Sequence, residues 1–218
     1  MIVDYSFILL VVLWGYHYFT SGDVQTMMMG LWVVAGVALS ILIHEMAHAL
    51  AARCYGVGTT HVELNGLGGL CYYDGMAPSS KARVVMALAG PASNLVLCVL
   101  FLGVGSGIDK LTETALGADD GVYWFSVIAA VLAQTNFMLF WFNLLPSHPL
   151  DGGTALAAMM QSRLGYDRAM RVVAYLGLAV CLWLLIMSFG AIFAGLLAVY
   201  LFMHNQRVLE THGGRRFM

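Results

Sequence analysis

Two histidines and a glutamate inside an apolar stretch are the residues of this sequence best suited to chemistry. They form the pattern His-Glu-x-x-His at His44, Glu45 and His48. On a helix the two histidines lie one turn apart on one face, where they can bind one Zn²⁺, and the glutamate can act as a general base. An ionisable residue at the centre of a membrane costs about 2.5–3.5 kcal/mol, so this cluster requires an explanation. The pattern predicts a zinc hydrolase site at membrane depth, although a polar cluster that only packs helices would also contain these residues.

A hydrolytic zinc site needs a third protein ligand, and Asp151 is the best candidate. It follows Pro146 and Pro149, which interrupt the helical pattern, and it precedes two glycines that allow the backbone to bend. Asp151 could instead cap the helix predicted at 154–163 without binding a metal, and spacing alone leaves both alternatives open. His148 is a rival ligand, although an exposed or supporting role suits it better.

The composition places these residues in a membrane protein. Of 218 residues, 61% are hydrophobic and 10% are charged, and the mean hydropathy is +0.82, whereas soluble domains carry about 25% charged residues. The net charge of −2 does not indicate a nucleic-acid-binding protein. Four cysteines without a CxxC pair predict free thiols. We expect one domain over residues 1–218, with a core at about 30–160 and flanking helices at about 2–19 and 170–206.

Six apolar stretches approach the length of about 20 residues that a transmembrane helix requires. They cover about residues 2–19, 28–53, 82–104, 122–143, 170–188 and 190–206. Nine of the ten basic residues flank the connections after the second and fourth stretches or follow the sixth, which predicts that these regions and both termini face the cytosol. The chain should therefore be an all-α, multi-pass membrane protein with about six transmembrane helices. The first, fifth and sixth helices are candidates for a gate.

A glycine cluster after the His-Glu-x-x-His helix predicts a small membrane-associated β-hairpin. Gly66, Gly68 and Gly69 interrupt β-branched and aromatic residues between about 56 and 76. The edge strand of such a hairpin could bind an unwound substrate segment by β-addition, which makes the three glycines candidates for substrate binding. A structural plug at the membrane face would explain the same pattern.

These motifs resemble the site-2 protease family of intramembrane zinc metalloproteases. That family pairs its HExxH helix with a later N-x-x-P-x-x-P-L-D-G segment, which matches residues 143–152 here, and with a G-P-x-x-N element, which matches residues 90–94. The likeness covers about residues 30–160 in the family's order. The resemblance implies one Zn²⁺ per chain, with Glu45 as the general base and three ligands: His44, His48 and Asp151.

The resemblance also implies a substrate and a setting. Site-2 proteases cut a peptide bond in or near the transmembrane helix of a single-pass membrane protein, commonly after a site-1-type protease has made a first cut. Asn94 and Asn143 are amides that could stabilise the oxyanion, although hydrogen bonding between helices would explain them equally. The compact chain predicts a prokaryotic cytoplasmic membrane, with the lipid bilayer and the substrate as partners and no nucleic acid.

Two other functions are compatible with parts of this pattern. A catalytically inactive relative could bind membrane helices without cutting them, but such a protein has no use for Glu45. A metal transporter could bind an ion in transit, but transporters tend to show internal repeats, and this sequence shows none.

Overall fold

The computed structural model describes residues 2–3, 15–16, 18–58, 60–65, 68–75, 79–113, 120–187 and 192–212. These residues contain three short strands and six long helices, which we number in chain order. They are β1 (Ile2–Val3), α1 (Val24–Cys54), β2 (Thr60–Asn65), β3 (Gly68–Tyr73), α2 (Ser80–Leu111), α3 (Asp120–Asn143), α4 (Asp151–Leu164), α5 (Tyr166–Met187) and α6 (Ile192–His212). The helices dominate, as the sequence predicts for an all-α membrane protein.

Within the described residues, four helices are long and apolar enough to cross a membrane: α1, α2, α3 from Val122 onward, and α5. Large apolar side chains point outward from them, and Leu50, Val99 and Leu182 are 65%, 62% and 61% exposed. Such surfaces are stable only where lipid is the solvent, so the chain is an integral membrane protein. Helix α6 coincides with the sixth predicted stretch but is not among these four.

The first predicted stretch, residues 2–19, begins differently from the prediction. Ile2 and Val3 form strand β1, which pairs in parallel with Glu63 and Leu64 of β2. Both residues are β-branched, and the open edge of β2 offers them hydrogen bonds, so a strand is favoured over the start of a helix. The strand therefore replaces the first two residues of the predicted helix, and residues 4–14 and 17 of this stretch lie outside the described residues. Of the rest of this stretch, the structure describes helical conformation at residues 15–16 and 18–19.

Strands β2 and β3 pair in antiparallel fashion directly after α1. Their register runs from Thr60 opposite Tyr73 to Asn65 opposite Gly68, and β2 is the central strand of the order β1-β2-β3. Gly66 lies outside the described residues. Both β2 and β3 contact α1, so the sheet lies against the helix that carries the two histidines.

Side chains at the ends of α1 and α2 determine where these helices begin and end. Asp23 caps α1, because its carboxylate accepts a hydrogen bond of 2.8 Å from the backbone N–H of Thr26. This bond and the one from the Thr26 hydroxyl lower the pKa of Asp23. Gly56, with φ +69°, turns the chain after α1, and Ser79 caps α2 through a bond of 3.1 Å from the N–H of Ala82.

Helix α2 packs against α1, α3 and α4. His44 contacts Asn94 of α2, whereas His48, one turn further along α1, contacts Met86, so α1 and α2 run antiparallel. The end of α1, the sheet and the start of α2 therefore lie at the same side of the membrane. Helix α2 is also the element through which α1 and α4 are brought together.

Candidate metal centre

His44 and His48 are buried on one face of α1, as their spacing predicts. Their Nε2 atoms lie 3.2 Å apart. Asp151, in the first turn of α4, places Oδ2 3.1 Å from Nε2 of His44 and Oδ1 3.3 Å from Nε2 of His48. Three residues separated by about a hundred positions in the sequence thus converge on one point, and they form a group that could bind a metal ion.

The hydrogen bonds behind the two imidazoles determine which nitrogen faces this point. Nδ1 of His44 lies 2.5 Å from the Oδ1 atom of Asn94, and Nδ1 of His48 lies 2.7 Å from the backbone carbonyl oxygen of Met86. Both partners are acceptors, so each Nδ1 carries the proton and each Nε2 presents a lone pair. Two lone pairs that face each other at 3.2 Å repel unless a cation lies between them.

The donor atoms fit a zinc ion. Tetrahedral coordination with bonds of about 2.0–2.1 Å places neighbouring ligand atoms about 3.3 Å apart, close to the distances measured here. Oδ2 of Asp151 is buried and has no hydrogen-bond donor, which is unfavourable for a carboxylate oxygen unless a cation binds it. Two imidazole nitrogens and a carboxylate leave a fourth position open, as in catalytic rather than structural zinc sites.

Gly90 of α2 makes the convergence possible. A Cβ atom at this position would collide with the Nε2 atoms of both His44 and His48. The absence of a side chain therefore lets α2 pass directly behind the site. The G-P-x-x-N element thus has two physical roles here, because Gly90 provides space and Asn94 orients His44.

Glu45 is buried beside the site and faces the sheet. A Cβ atom on Gly69 of β3 would collide with the Glu45 carboxylate, so the strand lies directly against it. Cys71 lies two residues further along β3, where burial, and then the charge of Glu45, raises the pKa of its thiol to about 11. The thiol is therefore protonated at neutral pH.

The structure places Asp151 and His148 in different environments. Helix α4 begins at Asp151, its N-cap residue is Leu150, and no side chain caps it, so the capping alternative for Asp151 does not describe this structure. The ring of His148 lies 6.5 Å from that of His204, and within the described residues it does not join the metal-ligand group. Burial, with smaller effects from His204 and His212, lowers the pKa of His148.

Of the asparagines predicted for the oxyanion, Asn94 bonds to neighbouring helices and Asn143 bonds within its own helix. Asn94 is fully buried, and its Nδ2 atom donates to Oδ1 of Asn136 at 2.9 Å. Asn136 in turn donates to the hydroxyl of Ser40 at 3.0 Å, so α1, α2 and α3 share one polar network. Asn143 donates to the carbonyl oxygen of Leu139, in its own helix, at 3.0 Å.

Sequence reasoning missed the contribution of Asn136 and Ser40. Both are polar residues in apolar stretches, which is the signal that could have indicated them. The sequence does not show that they face each other, because the rotation of each helix about its axis depends on tertiary packing.

Comparison with known proteins finds relatives that are named as zinc metalloproteases. Rip3 of Mycobacterium tuberculosis is 37% identical over 143 residues, which cover 62% of this chain and 34% of that protein. A zinc metalloprotease of Methanocaldococcus jannaschii is 27% identical over 187 residues, which cover 83% of this chain and 51% of that protein. The chain thus spans about a third to a half of the length of these curated relatives.

A solved structure and a family profile extend the comparison. The site-2 protease from Methanocaldococcus jannaschii matches with a TM-score of 0.63 over 94% of this chain and 88% of that chain, at 21% identity, which establishes a shared fold. The profile of Peptidase family M50 matches residues 32–184, a range that contains both histidines, Glu45 and Asp151. The chain therefore belongs to Peptidase family M50, as its resemblance to site-2 proteases predicted.

Proposed function

We propose that this chain is a zinc metalloprotease that cleaves membrane proteins within the bilayer. The observation that carries the proposal is the convergence of two Nε2 lone pairs and the Asp151 carboxylate next to Glu45. A membrane domain that only bound other helices would not need a buried carboxylate beside three metal ligands. The membership in Peptidase family M50 supports the same reaction class.

One Zn²⁺ would be held by Nε2 of His44, Nε2 of His48 and the carboxylate of Asp151. When bound, zinc supplies a Lewis acid that favours ionisation of water and polarises a carbonyl group. Asn94 and the carbonyl of Met86 keep the two imidazoles in the tautomer that this requires.

Glu45 performs the proton transfers. Its carboxylate takes a proton from the attacking water as the new C–O bond forms at the scissile carbonyl. The same group then delivers this proton to the leaving nitrogen as the C–N bond breaks, so one residue acts first as base and then as acid. Burial of Glu45 against β3 limits its access to bulk water and keeps the proton local.

Asn94 and Asn143 have different roles in this proposal. We assign Asn94 to the orientation of His44, because its oxygen accepts from that ring and its Nδ2 atom donates to Asn136. Asn143 uses one amide hydrogen on the carbonyl of Leu139, and its second amide hydrogen is the one that would stabilise the oxyanion.

The sheet would bind the unwound substrate segment. A helical segment must first lose its own hydrogen bonds before its peptide group can be attacked, and a sheet edge replaces them by β-addition. Strand β1 occupies one edge of β2, and β3 occupies the other, so the added strand would pair with β3, which lies against Glu45. Gly66, Gly68 and Gly69 would let the substrate backbone approach closely.

The proposed substrate is a single-pass membrane protein whose transmembrane helix unwinds readily, delivered after a first cut by a site-1-type protease. The catalytic unit comprises residues 1–218. About six spans, counting α6 and a helix within the first stretch, would place both termini in the cytosol of a prokaryotic cell. The distribution of basic residues supports this orientation.

Cleavage by the purified full chain tests the proposal. A single-pass test substrate in liposomes should be cut by the wild type in the presence of Zn²⁺, and Glu45→Gln should lower the rate by about 10²–10⁴-fold while zinc content stays near one per chain. Cleavage that survives Glu45→Gln would contradict the mechanism. Zinc binding without cleavage would favour an inactive relative, and zinc uptake into sealed liposomes would favour a transporter.

A further inference from the structure

Asn205 of α6 bonds to the turn that precedes Asp151 through both ends of its amide group. Its side chain is fully buried. Its Nδ2 atom lies 2.9 Å from the hydroxyl of Ser147, 2.8 Å from the carbonyl oxygen of His148 and 2.7 Å from the carbonyl oxygen of Leu201. Its Oδ1 atom accepts from the N–H of His148 at 3.2 Å. The amide therefore satisfies both backbone groups of His148 at once.

Helix α5 provides the space that Asn205 occupies. A Cβ atom on Gly177 would collide with the amide group of Asn205. The missing side chain at residue 177 therefore lets α5 and α6 pack closely around the asparagine, as small residues do in membrane proteins. The asparagine is fixed on one side by this glycine and on the other by the turn.

The same turn packs against the first turn of α4. A Cβ atom on Gly152 would collide with the carbonyl group of Leu144, and a Cβ on Gly153 would collide with that of Ser147. Ser147 is fully buried, and its carbonyl oxygen accepts from the N–H of Leu150 at 2.9 Å. Any displacement of Ser147 is therefore transmitted to the residues that begin α4, including Asp151.

We propose that Asn205 is a positioning residue for Asp151: it fixes the turn at Ser147 and His148, and this turn aims the carboxylate at the two imidazoles. The inference rests on the zinc site proposed above. Asn205 lies beyond residues 32–184, the range that the family profile matches, so this support comes from a helix outside that range. Helix α6 would thus support the metal centre through the turn before α4, without contributing a ligand.

The contacts with His148 require one donor and one acceptor, and the amide of Asn205 supplies both. Aspartate at position 205 would retain the acceptor for the N–H of His148 but would place a second oxygen against the carbonyl of His148. Leucine has a similar shape and provides neither a donor nor an acceptor, which leaves both backbone groups of His148 without this partner.

Metal binding by the purified full chain tests this proposal. We expect Asn205→Leu and Asn205→Asp to weaken zinc affinity about 10–100-fold, measured by competition with a chelator, as is typical for residues that support metal ligands. The absorption spectrum of the Co²⁺-substituted protein should change, because the coordination of Asp151 is altered. Thr211→Ala is the matched control, since its hydroxyl bonds only to the carbonyl of Arg207 in the same helix and is exposed.

Gly177→Ala provides an independent variant that leaves Asn205 in place. The added methyl group should displace the amide and weaken zinc affinity in the wild-type background, but not in Asn205→Ala, where the space is vacant. Unchanged affinity and an unchanged Co²⁺ spectrum in Asn205→Leu would overturn the proposal, even if the protein unfolds at a lower temperature. A wild-type chain that binds no zinc would instead contradict the proposed function.

Discussion

At the scale of single residues, the tautomer of each imidazole determines what the site can bind. The histidine spacing places two rings on one face of α1, but the direction of their lone pairs depends on partners from α2. Asn94 and Met86 supply these partners from positions two turns apart. A chain with the same His-Glu-x-x-His pattern and donors in those two positions would present N–H groups to the centre and would repel a cation.

Replacing Asn94 distinguishes the orientation of His44 from the stabilisation of the oxyanion, two roles that sequence alone leaves open. We expect Asn94→Leu to lower zinc affinity about 10–100-fold, because the Nδ1–H of His44 loses its acceptor and the ring can rotate or change tautomer. Chelator competition measures this directly. If Asn94 instead stabilised the oxyanion, zinc affinity would stay at the wild-type value and only the cleavage rate at saturating substrate would fall.

Gly90 offers a steric test of the same centre. Gly90→Ala should abolish zinc binding, because the new methyl group would occupy the space between α2 and the two Nε2 atoms. Gly103→Ala is the matched control in the same helix, since a Cβ there meets no atom within 4 Å. We expect the control to bind zinc as the wild type does. Equal zinc content in the two variants would contradict the observed packing.

At the scale of elements, the sequence predicts which segments form helices better than it predicts how they meet. The stretches 28–53, 82–104 and 122–143 correspond to α1, α2 and α3, because long apolar runs are strong signals, although α2 continues to Leu111. Strand β1 has two residues and no periodicity, so its pairing with β2 is invisible in the sequence.

The sequence likewise predicts the part of the candidate site that lies within one helix better than the part that depends on packing between helices. His44, Glu45 and His48 share one helix, so their geometry follows from the helical repeat. The sequence nominates Asp151 as a ligand but leaves helix capping open, the resemblance favours the ligand role, and the convergence of Asp151 with α1 depends on packing around Gly90. Contributions from Asn205 could not be predicted, because the rotation of α6 about its axis is set by contacts with α5 and the turn before α4.

A substitution at Gly69 in strand β3 tests the cleavage rate separately from metal binding. Gly69→Ala should lower the cleavage rate by at least tenfold while zinc content remains near one per chain, because the three atoms nearest to the new methyl group all belong to the Glu45 side chain. Gly75→Ala is the control, since a Cβ there would make ordinary contacts of 3.5 and 3.6 Å with Gly58 and Val57. Loss of zinc from Gly69→Ala would show that β3 supports the ligands and not the base.

At the scale of the whole molecule, the metal would connect α1 with the start of α4. The ligands come from α1 and from the start of α4, and α2 packs against both. A ligand that binds only the folded state raises the free energy of unfolding with its concentration, by about 2.7 kcal/mol at one hundred times its dissociation constant. Zinc should therefore stabilise the fold as well as supply chemistry.

Thermal unfolding in detergent measures this linkage. We expect the midpoint temperature of the wild type to rise as free Zn²⁺ is increased and to fall when a chelator removes the ion. Asp151→Ala should unfold at a temperature that is nearly independent of zinc, because the remaining two imidazoles bind the ion weakly. Glu45→Gln should keep the full dependence, since it changes the base and no ligand. A zinc-dependent shift of equal size in Asp151→Ala would mean that the ion stabilises the protein from another site.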